Sequence, residues 1–170
     1  ESKLQAPEMS GLFLIMFFMA AAISSPLWTF LSNRHSIKKV LLFAMFSAVI
    51  IFSSVIFLES GDVFLFSLVC LASGATLGAD LTLLPATFAR HIASRKGNAE
   101  LGFGLWNFAS KFSLAVAAIL ALPILEIFGY LPGQETTERG LFALTLGYAI
   151  LPCLLKVISI VLVLKTQFEE

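Results

Sequence analysis

Apolar residues follow one another along this chain in five long stretches, about Gly11 to Leu31, Val40 to Leu58, Val63 to Ala89, Leu101 to Leu125 and Leu141 to Leu164. A helix needs roughly 17 to 25 such residues to cross a hydrocarbon layer ~30 Å thick. Short polar segments separate the stretches: Ser32 to Lys39, Glu59 to Asp62, Arg90 to Glu100 and Glu126 to Gly140. The apolar positions do not alternate with polar ones in ten-residue units, as the strands of a membrane barrel do. The pattern therefore predicts an all-α membrane protein of five transmembrane helices.

Loop charge orients these spans, because Lys and Arg concentrate on the cytoplasmic side. Arg34, Lys38 and Lys39 stand in the first connection with no acid, and Arg90, Arg95 and Lys96 outweigh Glu100 in the third. Glu59 and Asp62 are the charges of the second, while Glu126, Glu135 and Glu138 outnumber Arg139 in the fourth. All four loops agree on an outer N-terminus and a cytoplasmic tail, residues 166–170. Residues 1–10 then read as the remnant of an outer loop and 11–165 as part of a helical bundle that has lost its beginning.

Composition narrows the class further. Of 170 residues, 58% are hydrophobic and 13% charged, about half the charge that clothes a soluble domain. With 11 basic and 11 acidic residues the formal charge is zero, and no basic run extends beyond Lys38-Lys39, so nucleic acid is not an expected partner. Seventeen Phe suit surfaces that face lipid or pack helix on helix. Cys70 and Cys153 lie in apolar runs, where a free thiol behaves as a small hydrophobe, and His35 and His91 sit in separate polar segments without ligand spacing. No catalytic constellation and no cofactor motif is present, since Gly102-Phe-Gly104 lies within an apolar helix and lacks the strand and third glycine of a dinucleotide loop. An enzyme is not expected.

Within the spans, Pro26, Pro85, Pro123 and Pro152 each remove a backbone donor and predict a kink. Small residues at Ala20 to Ala22, Gly74 to Ala79, Gly102 to Gly104 and Ala115 to Ala118 permit close helix approach. Charge at membrane depth is the informative feature, because it costs about 2.5 to 3.5 kcal/mol even on the forgiving insertion scale. Asp80 stands nine residues before Ala89 and Lys111 ten after Leu101, so both lie about 14 to 15 Å from the loop that joins their helices. At that common level they can pair directly or share a polar cavity. Asn107, one turn before Lys111, shares its face, and Trp106 offers a ring on which a sugar stacks. Lys156 also falls within a span, but eight residues from its cytoplasmic end, close enough for its stem to reach the headgroups. Glu126 closes the fourth span and reads as solvated.

Three runs carry a resemblance. Gly74-Ala-Thr-Leu-Gly-Ala-Asp-Leu-Thr-Leu-Leu-Pro-Ala-Thr-Phe-Ala89, Gly102-Phe-Gly-Leu-Trp-Asn-Phe-Ala-Ser-Lys111 and Phe128-Gly-Tyr-Leu-Pro132, with the basic loop after Pro26-Leu-Trp-Thr-Phe, resemble the glycoside-pentoside-hexuronide:cation symporters. This is the melibiose-carrier-like branch of the major facilitator superfamily. The resemblance extends from about Gly11 to Lys165 and implies that the five spans are helices eight to twelve, the C-terminal portion of a twelve-helix fold. It differs from the family at Arg90, where an Asp is usual. It further implies a multi-pass protein of the cell membrane, expected to be a prokaryotic inner membrane, carrying a small polar solute such as a sugar with sodium or a proton as coupling cation. The partner it implies is the N-terminal half of the carrier. Lys111 falls on the family's lysine of the eleventh helix, near the sugar and cation sites, and Asn107 on a polar position of the same region. A carrier for a non-sugar solute on the same fold, and a non-transporting membrane scaffold subunit, are the alternative functions.

Overall fold

A computed structural model describes residues 10–55, 61–95, 97–127 and 151–166. Among them are five helices and no strand: α1 (Ser10–Arg34), α2 (Ile37–Ser54), α3 (Val63–Ser94), α4 (Ala99–Ile127) and α5 (Leu151–Lys165). The spans expected at 11–31, 40–58, 63–89 and 101–125 correspond to α1 to α4. Of the fifth, the part from Leu151 onward is helical and 141–150 lie outside the described residues. Length and apolarity suffice for membrane crossing in α1, α2, α3 and the Ala99–Leu120 part of α4. The chain is an all-helical membrane protein.

The helices form because long apolar runs leave the backbone no partner but itself in lipid. Their apolar residues cover the whole circumference instead of one stripe, as α1 shows most clearly, which is the mark of a helix immersed in an apolar medium. Outward-facing side chains such as Phe64, Ile23 and Ile50 are 71 to 81% exposed, a surface that fits acyl chains and not water. Pro26, Pro85 and Pro123 lie inside continuous helices, and Pro152 is the second described residue of α5.

α3, 32 residues long, is the centre of the bundle. α1 runs parallel to it, and the crossing is close because Gly74 and Gly78 face the α1 backbone. A Cβ at Gly78 would meet Ser24 Oγ and come within 2.6 Å of the Ala21 carbonyl oxygen, and one at Gly74 would overlap the Phe17 carbonyl. Two donors of α1 converge on one α3 carbonyl: Trp28 Nε1 and Ser24 Oγ donate to Ala75 O at 2.7 and 3.0 Å. α2 and α5 pack antiparallel on the other side. Trp28, Ile37, Leu41, Met45, Ala79, Leu83, Ile160 and Val163 form one buried cluster drawn from α1, α2, α3 and α5.

Two local devices fix the ends. Lys38 Nζ, at the start of α2, donates to the carbonyls of Leu164 and Thr166 at 2.9 and 2.8 Å, where a cation also suits the negative end of the α5 dipole. That places the α1–α2 turn and the end of α5 on one side of the bundle, as the loop charges require. Asn98 caps α4, its Oδ1 accepting from Leu101 N at 3.1 Å. From this tight turn α4 leans on α3 only near its start, where Phe88 meets Phe103 and Trp106 with ring centroids 5.5 and 5.0 Å apart. Beyond it, the described α4 side chains are exposed.

Candidate functional site

Ser73, Thr76 and Asp80 recur at i, i+3 and i+7, so one face of α3 carries a polar line through the middle of the bundle. Gly74 and Gly78 lie on a different face, turned toward α1. The polar line meets Ala48, Val49 and Phe52 of α2 and Pro152, Cys153 and Lys156 of α5 around a cavity of about 130 Å³, which Phe17 and Leu77 complete.

The Asp80 carboxylate forms an ion pair with Lys156 through Oδ2. Both side chains are largely withdrawn from the surface, at 17% and 22% exposure. Pairing is what makes either charge tolerable at this depth, because the opposite charge replaces the hydration that the apolar surroundings withhold. The second carboxylate oxygen, Oδ1, is buried without a hydrogen-bond partner, and so is Ser73 Oγ. Thr76 donates to the Ser73 carbonyl at 2.8 Å, which leaves its own lone pairs unused by that bond. On the α5 side the Cys153 thiol lies 3.8 Å from Ser53 Oγ and 3.9 Å from the Val49 carbonyl.

Of the two arrangements the sequence left open for Asp80 and Lys111, a direct pair or a shared polar cavity, the direct pair is not formed, since Asp80 pairs with Lys156. Lys111 is exposed on α4, as are Asn107 and Ser110, and Ser110 Oγ turns back to the Trp106 carbonyl at 2.8 Å. Trp106 stacks against Phe88, tilted by 32°, and so joins α4 to α3. Asp80 thus stands apart from Lys111, Asn107 and Trp106, which share α4. Gly104, Asn107 and Lys111 follow one another at i, i+3 and i+7 along α4, and no heavy atom lies within 4 Å of a Cβ built on Gly104.

Lys156 is the residue that sequence reasoning set aside as a headgroup-seeking side chain. Its depth gave a signal: it lies eight residues before Leu164, as Asp80 lies nine before Ala89, so at 1.5 Å per residue both stand at one level. The sequence reading used that depth to favour Lys111, whereas the packing of α5 on α2 brings Lys156 to Asp80. The polar line above Asp80 was also readable, from the three-four spacing of Ser73, Thr76 and Asp80.

A family model described as MFS/sugar transport protein matches residues 2–170. Neither curated proteins nor solved structures give a match.

Proposed function

We infer the function from one premise: the chain belongs to the MFS/sugar transport protein family. It is a transporter of the major facilitator type, a multi-pass membrane protein whose substrate is a small solute. Our reading is that it is part of a sugar:cation symporter of the melibiose-carrier-like branch, with these five spans as helices eight to twelve. Alternating access needs two bundles that rock about a central site, and here the described helices furnish elements of one of them.

The observation that carries this reading is the carboxylate of Asp80, held in the middle of an apolar 32-residue helix beside a mainly apolar cavity that Ser73, Thr76 and Lys156 also reach. Such a group is expensive in a membrane and marks a solute or ion path. Lys111 and Asn107 serve the same path from α4. Their shared face, with Gly104 open beside them, suits a polar translocation surface that donates and accepts hydrogen bonds to sugar hydroxyls. Trp106, tied to Phe88, sets the angle at which that face is presented.

The test is uptake of radiolabelled glycosides by the intact carrier in proteoliposomes. Saturable uptake driven by an imposed sodium or proton gradient is expected, lost on Lys111→Met while the protein still inserts and folds. Uptake that ignores both gradients refutes coupling. Full transport in a Lys111→Met, Asn107→Leu double variant refutes the role of α4.

A further inference from the structure

Charge on the described bundle is segregated by end. The packing brings the end of α1, the start of α2, the end of α3 and the end of α5 to one side, which carries Arg34, Lys38, Lys39, Arg90, Arg95 and Lys165 against Glu100 of α4. Asp62 opens α3 at the opposite end. Lysines and arginines at helix ends commonly reach for headgroups, so their presence alone selects no partner. The corner between α1 and α2 is more particular. Residues 32–39 include Arg34, His35, Lys38 and Lys39 and no acid, whereas Arg95 has Glu100 close in sequence and Lys165 is soon followed by Glu169 and Glu170.

The three permanent cations of this corner divide between inside and outside. Lys38 turns to the bundle, where it holds the Leu164 and Thr166 carbonyls at 2.9 and 2.8 Å. Lys39 follows about 100° further round the helix and shares a face with Phe43, one turn deeper. Phe43 is 64% exposed. Arg34 lies with its guanidinium carbon 4.6 Å from the centroid of the Phe30 ring, and Phe30 is 52% exposed. This contact lays the charge along the flank of α1 instead of projecting it beyond the helix end. Both outward cations are themselves exposed, and each stands one turn above an exposed aromatic ring.

A partner that fits such a surface is anionic at one end and apolar below it. A free anion or an acidic soluble protein meets the first condition but makes nothing of Phe30 and Phe43. A zwitterionic lipid meets the second but brings its own ammonium against Arg34 and Lys39. We propose that the α1–α2 corner is a docking surface for anionic glycerophospholipids, whose phosphodiesters pair with Arg34 and Lys39 while their acyl chains run over Phe30 and Phe43. Lys38, committed to α5, holds the corner in place and is not a headgroup ligand. The assignment is independent of which solute the protein carries.

The full chain is placed in phosphatidylcholine bilayers with trace chain-spin-labelled phosphatidylglycerol or phosphatidylcholine, and the motionally restricted fraction of each label gives their relative association. A position beside one cation favours the anionic lipid about fivefold at low salt, so averaged over the lipid shell about a twofold preference is expected, shrinking as salt is raised. Arg34→Gln with Lys39→Gln removes at least half of that excess. Arg90→Gln with Arg95→Gln takes the same charge from the end of α3 and keeps most of it. Arg34→Lys with Lys39→Arg retains the preference, which separates lost charge from a damaged fold. Inorganic phosphate at matched ionic strength leaves it in place. Equal association of the two lipids with the parent chain, equal loss in the two glutamine pairs, or loss in the charge-preserving pair overturns the proposal. If phosphate abolishes the preference, the corner binds a free anion and the assignment to lipid falls.

Discussion

α3 meets its neighbours through two faces of opposite character. Toward α1 it offers Gly74 and Gly78, and the two backbones approach until a single added methyl would strike a carbonyl. Toward α2 and α5 it offers Ser73, Thr76 and Asp80, and there the helices stand apart around a cavity held by an ion pair. In lipid the hydrophobic effect does not drive helices together, so close packing and polar contact must do so. The first face uses van der Waals contact and the two donors on Ala75 O, and has one geometry. The second uses the Asp80–Lys156 ion pair.

The largest expected effect comes from unbalancing the polar seam. Asp80→Leu alone leaves the Lys156 ammonium without its counter-charge and costs about 3 kcal/mol of stability, whereas Asp80→Leu with Lys156→Met comes within about 1 kcal/mol of the parent. Denaturation in mixed micelles measures both, and equal loss in the single and double variants breaks the claim that the pair is one unit. Next comes the rigid seam: Gly78→Leu, which drives a side chain into Ala21 and Ser24, costs about 2–3 kcal/mol in the same assay. Wild-type stability there refutes the close approach of α1. Trp28→Phe keeps most of the apolar ring and removes one donor from Ala75 O, with a loss of about 1 kcal/mol. Ser24→Ala falls below that, because Trp28 still satisfies the carbonyl. The smallest change in stability is predicted for Lys111→Met, under about 0.5 kcal/mol, since this exposed side chain supports neither seam. A large loss would show that α4 packs more tightly than its exposed surface implies.

Some of this was legible in the chain itself. Long apolar runs predicted the helices, and Lys38, Lys39 and Arg34 placed the first turn on the side where Lys38 indeed holds the end of α5. Depth put Asp80 and Lys111 at comparable levels, yet rise per residue fixes height along the membrane normal and says nothing of which helices are neighbours. The adjacency of α3 and α4 in sequence favoured Lys111, and a turn as tight as that at Asn98 makes neighbours of two helices only at that end.

Sequence by itself determined the class, the positions of the described helices and the small-residue face of α3, because each follows from composition and the regular geometry of a helix. Tertiary structure alone decided that Asp80 meets Lys156 and that a cavity opens at Ser73 and Thr76. Partner choice is a matter of azimuth and helix order, and these are set by which surfaces pack most closely across segments distant in the chain.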